Sequence, residues 1–240
     1  MREIARDDVR PSLRPYVGGA CILAVAFGVG RFAYTPLLVA MHADAGLSVA
    51  GAGVLASANL TGYLVGAILA ARPIASIDRT ATIRFGALAV ALLTAAMALQ
   101  PSAWLVVRFL TGVASGIVFV LATAAMLDVP AARTPRWGLA TFFSGVGLGI
   151  AGAGLAVPLV AHLAGSRGAW IALGMVSTAI VVIASRWIPP EAATRGASAP
   201  TAGAMPSAPD FWTVAVLYAF EGAVYIIPAT ASMSSLIHVL

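Results

Sequence analysis

Three ionisable residues in this sequence stand inside long apolar runs. Arg31 falls within FGVGRFAYTPLLVAM, Glu221 within YAFEGAVYIIPAT and Arg108 within WLVVRFLTGVASG. In hydrocarbon such a charge costs about 2.5–3.5 kcal/mol on insertion scales, so it takes a partner or faces a water-filled cavity. The chemistry open to these residues is electrostatic: holding an anionic group, exchanging a proton at the carboxylate, or both. Arg31 lies about 14 residues into its run, roughly 21 Å along a helix, too deep to reach an interface. Glu221 lies about 10 residues into its run, near a bilayer midplane. Arg108 is about five residues from one end, so snorkelling to the interface and a cavity role both stay open. Asn59 and Tyr63 are four apart and share a helical face. With Tyr34 they are the further candidates for a polar lining, although a hydrogen bond to a neighbouring helix is the commoner fate of such residues.

Other chemistries find no support. Gly28-Val29-Gly30-Arg31-Phe32-Ala33 and Gly147-Leu148-Gly149-Ile150-Ala151-Gly152 match dinucleotide-binding patterns, but both lie in apolar runs instead of at a strand-to-helix turn. The chain has no lysine, so a phosphate-binding Walker loop cannot form. No histidines or carboxylates have metal-ligand spacing, no serine or cysteine has a local base, and the single cysteine, Cys21, cannot form an internal disulfide. The expectation is a protein without enzymatic activity, metal or cofactor.

The elements that must position these residues follow from composition. Of 240 residues 60% are hydrophobic and only 10% charged, with a mean hydropathy of +0.96. A soluble domain carries about 25% charged residues; this one belongs in a bilayer. The net charge of +5 is scattered between apolar runs instead of gathered on one face, which excludes a nucleic-acid partner. Seven stretches are long enough to cross: 17–41, 50–71, 82–99, 103–127, 137–163, 168–188 and 211–230. In lipid they must be helices, because the backbone has to satisfy its own hydrogen bonds. Arginines cluster in the N-terminal tail and after the second, fourth and sixth stretches, which predicts a cytoplasmic N-terminus. The Pro/Ala/Gly/Ser-rich segment 189–210 reads as a cytoplasmic linker. The predicted organisation is a tail at 1–16, a six-helix bundle at 17–188, the linker at 189–210 and one further helix within 211–240. Span five carries Gly145, Gly149 and Gly152 with Pro158, small residues suited either to a fixed close contact or to a surface that slides.

Four segments in order resemble the YbfB/YjiJ-type branch of the major facilitator superfamily: FGVGRFAYTPLLVAM, GVLASANLTGYLVGAILA, FFSGVGLGIAGAGLAVPLV and YAFEGAVYIIPAT. The resemblance implies an all-α fold of two six-helix bundles, each made of inverted three-helix repeats. It implies secondary transport of a small solute by alternating access, with proton coupling frequent. The first, fourth and seventh spans would line the cavity, and Arg31, Arg108 and Glu221 fall on them. Arg108, Gly112 and Gly116 resemble an Arg-and-glycine motif of the fourth span that is linked to proton coupling. The pattern departs at the loop after span two, where Asp78 and Arg79 match but Ile74 replaces a glycine. It departs again at the C-terminus, where about five spans of the second bundle are expected and absent. Abundant alanine and arginine without lysine fit a bacterial inner membrane. The competing expectation is a truncated, non-transporting membrane protein, or a bundle that only packs against partner helices.

Overall fold

The computed structural model describes residues 12–72, 78–129 and 134–188. Glu221, the 189–210 linker, the 211–230 span and Ile74 lie outside the described residues. Within them five helices are long and apolar enough to cross a membrane, and none of these residues forms a strand. That is what an apolar chain must do where no water can take up unpaired backbone groups.

The first crossing, Arg14–Ala45, is not one regular helix. It comprises α1 (Arg14–Leu23), a π-helical stretch at Ala24–Phe32 and α2 (Tyr34–Ala45). The wide turn closes with the Ala33 N–H donating to the Gly28 carbonyl at 2.9 Å. The remaining helices are α3 (Val49–Ala70), α4 (Arg79–Ala96), α5 (Trp104–Leu127) and α6 (Gly138–Ala184). Polar caps set two of the starts. Ser48 Oγ accepts the Gly51 N–H at 3.1 Å ahead of α3, and the Asp78 carboxylate accepts the Ala81 N–H at 3.0 Å ahead of α4. At 47 residues α6 would reach roughly 70 Å, far more than one crossing needs. Its course breaks at Gly165, with φ 67° and ψ 179°, a conformation essentially reserved for glycine. The break falls between the stretches expected as fifth and sixth spans.

Two helix pairs approach backbone to backbone. On α3 and α5, Gly62 and Gly66 face the backbone of Phe109 and Val113, while Gly112 and Gly116 face that of Asn59 and Tyr63. The second pair joins the first crossing to the first half of α6: Gly145 lies on Ala20, Gly149 on Ala24, and Gly28 on Gly149. In lipid no hydrophobic force drives helices together, so such close approach is the main source of attraction. The second half of α6 packs on α4 through Gly174 against Ala95. Tyr16, Ile22, Val25, Ile83, Val90, Val118, Phe142 and Val181 fill the core between these elements.

Ties between helix ends complete the frame. The Asp44 carboxylate accepts the Ser166 N–H at 2.6 Å, just past the break in α6. Arg167 Nε donates to the Ala98 carbonyl at 3.0 Å, and the Trp104 indole N–H to that of Met97 at 2.8 Å. At the opposite end an Arg79–Asp128 ion pair joins the start of α4 to the end of α5.

Candidate functional site

The sequence candidates separate into a buried network and a partly open cluster. Arg108 is the centre of the first. It is only 3% exposed, so it does not snorkel to the interface. Its Nη1 donates to the Gly30 carbonyl at 3.0 Å, and its guanidinium carbon lies 4.5 Å from the centroid of the Tyr34 ring. Tyr34, itself 3% exposed, donates its hydroxyl to the Ala52 carbonyl at 3.0 Å. Asn59, 1% exposed, donates from Nδ2 to the Arg108 carbonyl at 3.0 Å. The network therefore ties the first crossing to α3 and α5. Gly30 fits tightly there, because a methyl would come within 2.7 Å of the Val90 side chain on α4. The Arg108 Nε and the Asn59 Oδ1 stay buried without a partner among the described residues, which costs free energy in a low-dielectric interior. Tyr34 and Asn59 thus take the hydrogen-bonding role between helices and keep almost no surface for a cavity.

Arg31 and Tyr63 form the other group. The Arg31 guanidinium carbon lies 5.1 Å from the Tyr63 ring centroid, 5.6 Å from that of Phe32 and 5.8 Å from that of Phe27. Each such contact is worth about 0.5–2 kcal/mol, more as water is removed. Phe27 meets Tyr63 edge-on at 5.7 Å and an 82° interplanar angle. Phe119 from α5 closes the cluster, 4.9 Å from Phe27 and 6.4 Å from Tyr63. Arg31, Phe27, Tyr63 and Phe119 are all partly buried, so each keeps some accessible surface. Three elements converge here: the π-helical stretch, α3 and α5.

Sequence reasoning did not single out Phe27 or Phe119. Phe27 stands four residues before Arg31, a spacing that places both on one side of a helix, so that pairing was readable. Phe119 had no local signal; only the α3–α5 contact brings it in. The packing glycines divide as well. Gly112, Gly116, Gly145 and Gly149 sit at close backbone contacts, whereas a methyl at Gly152 would meet nothing within 4 Å among the described residues. Gly147 and Gly154 are open in the same way, so one side of this helix is a fixed contact and the other is not. Pro158 lies inside α6. Both dinucleotide-like strings run through helix, and no group of three His, Cys, Asp or Glu side chains able to hold a metal occurs among the described residues.

A model of a family described as "Uncharacterised MFS-type transporter YbfB" matches residues 23–236. No curated protein matches the chain.

Proposed function

The chain belongs to the MFS-type transporter family of the YbfB kind, and from that premise we propose that it moves a small solute by alternating access, with Arg31 at the solute site. As a multi-pass membrane protein of a transport family, it needs a place where a polar group can be held at membrane depth. The observation that carries the reading is the Arg31 cluster. It is a guanidinium kept partly accessible in the middle of a 32-residue crossing, with rings from three elements around it. A charge at that depth needs partners or a water-filled cavity.

The packing supports a layout of inverted repeats. Exchanging the first three spans with the next three turns the α3–α5 pair into the pair between the first half of α6 and the first crossing. Both pairs are held by glycines against backbone. A second bundle, from elsewhere in a longer chain or from a partner, would close the cavity. Arg31 would hold an anionic solute group or the deprotonated Glu221. Protonation of Glu221 would weaken that pairing and favour one orientation of the bundles. The arginine distribution supports a cytoplasmic N-terminus in a bacterial inner membrane.

The test uses the chain in liposomes loaded with a low-molecular-weight cell extract, under an imposed pH gradient. Mass spectrometry of the contents should show discrete solutes gained or lost relative to empty liposomes. Glu221→Gln should remove the pH-driven part and leave the yield of folded protein unchanged. If no solute moves beyond the empty-liposome level, the chain is a helix-packing partner without activity of its own.

A further inference from the structure

A cavity of about 470 Å³ opens where α5 ends and α6 begins, within the roughly 300–1,000 Å³ range of small-molecule sites. Its lining divides by chemistry. Met126, Leu127, Val129 and Leu139 are apolar, and Arg136 brings a charge to the rim. The wall between them is built by contacts among three elements. Thr134, also in the lining, accepts the Tyr16 hydroxyl at 3.1 Å and donates to the Val129 carbonyl at 3.3 Å. Gly138, the first residue of α6, lies on the Tyr16 ring, where a methyl would come within 2.9 Å. The first crossing therefore fixes the turn that carries Arg136.

The side chains beside the cavity set its depth. Trp137 is 63% exposed and Leu127 60%, both at the ends of helices long and apolar enough to cross a membrane. An exposed tryptophan at such an end belongs at headgroup level. The Arg136 guanidinium carbon lies 5.2 Å from the Trp137 ring centroid, which keeps the charge at that level too. The starts of the first crossing and of α4 and the end of α6 meet at the same end, through the Tyr16–Thr134, Arg79–Asp128 and Gly18–Trp187 contacts. Among the described residues this end holds Arg14, Arg72, Arg79, Arg84, Arg136 and Arg186 against Asp78 and Asp128, so its field is positive.

A charged rim over an apolar floor at headgroup depth fits an amphiphile. A free phosphate or a nucleotide would use Arg136 and leave the four apolar side chains without a task. An acyl chain alone would use those and leave the guanidinium. We propose that the cavity is a site for one anionic phospholipid. Its phosphate lies on Arg136, whose planar fork suits two phosphate oxygens. Its glycerol and first acyl carbons lie on Met126, Leu127, Val129 and Leu139. The bound lipid joins the end of α5 to the start of α6. The site is independent of Arg31 and of any solute the chain carries.

Equilibrium titration of the purified full chain in neutral detergent micelles tests this. The probes are dioctanoyl phosphatidylglycerol, dioctanoyl phosphatidylcholine and glycerol 3-phosphate. Phosphatidylglycerol should bind about fivefold tighter than phosphatidylcholine, the effect of one interfacial arginine, and at least about tenfold tighter than glycerol 3-phosphate, which lacks the acyl part. Arg136→Gln should weaken phosphatidylglycerol by about fivefold and remove the preference over phosphatidylcholine. Leu127→Ser should weaken both lipids by about threefold. Arg186→Gln is the control: an exposed arginine of the same end that does not line the cavity, it should change binding by less than about twofold. The variants are compared only after eluting as the parent does. Equal losses from Arg136→Gln and Arg186→Gln overturn the proposal, because attraction would then be diffuse. Glycerol 3-phosphate binding as tightly as the lipid overturns it in favour of a soluble phosphate. Equal binding of the two lipids, indifference to Leu127→Ser, or no binding of phosphatidylglycerol overturns it as well.

Discussion

Gly112→Leu should disrupt assembly of the bundle, with a loss of about 2–6 kcal/mol. A Cβ at Gly112 would run into the Asn59 carbonyl and lie 2.8 Å from the Tyr63 nitrogen. These are backbone atoms of a facing helix and cannot swing aside as a flexible side chain could. The only relief is to part α3 from α5, and that breaks three things together. The interlocked Gly62, Gly66 and Gly116 contacts open, the Asn59 amide loses the Arg108 carbonyl, and Phe119 moves off Tyr63. Overpacking costs about 1–3 kcal/mol and a buried amide left unpaired about 1–3 kcal/mol more. Gly152→Leu is the control: with open space at that position among the described residues, it should stay within about 0.5 kcal/mol of the parent. Reversible unfolding in mixed micelles, followed by tryptophan fluorescence, reads both. Parent-like stability of Gly112→Leu would mean that α3 and α5 do not meet as described.

Arg108→Met should behave in the opposite way, keeping the fold and losing activity. Among the described residues the partners of Arg108 are neutral: the Gly30 carbonyl and the Tyr34 ring. Removing it strands no buried counter-charge, and it relieves the burial of a guanidinium whose Nε has no partner. The lost hydrogen bond is worth about 0.6 kcal/mol on average for side chains bonded across helices in a bilayer, and up to about 1.7 kcal/mol. The desolvation relieved is of several kcal/mol, so relief wins, and replacing such a group by an apolar one is commonly neutral or stabilising. The proposed function gives a charge kept at that cost a task in the working cycle. Its tie to Gly30 holds the π-helical stretch that carries both Phe27 and Arg31. Losing that tie, worth up to about 1.7 kcal/mol, lets the stretch shift. Solute flux should therefore fall by up to about fifteenfold, while thermal unfolding stays at or above that of the parent. A collapse of stability with flux retained per folded molecule would show Arg108 to be a structural strut.

The membrane helices were legible because in lipid one variable, apolar length, decides them. The stretch expected at 50–71 is Val49–Ala70, and that at 103–127 is Trp104–Leu127 with its short lead-in turn. Where a polar cap competes with hydropathy the boundary moves: α4 starts at Arg79, before the stretch counted from residue 82, because Asp78 caps it. Rotation of each helix was not legible. A run of Gly, Ala, Val and Leu carries no amphipathic stripe, so nothing local says that Arg108 turns inward or that Gly152 faces away from span one. The π-helical stretch at Ala24–Phe32, which meets Gly149 on one side and Arg108 on the other, was also invisible. Of the expected lining, Arg31 and Tyr63 meet in one cluster, Tyr34, Asn59 and Arg108 share another network, and Glu221 lies outside the described residues. It could not tell those that hold helices together from those left accessible.

Solute flux in liposomes carrying the parent chain, Arg31→Lys or Arg31→Gln tests the central claim most directly. With Arg31 as the solute site, the solutes that the parent moves above the empty-liposome level should be carried weakly by the lysine variant. With the glutamine variant they should fall to background, although all three proteins insert and elute alike. Movement at the parent's rate with Arg31→Gln would contradict the account, because the accessible charge in the ring cluster would then have no part in carrying the solute.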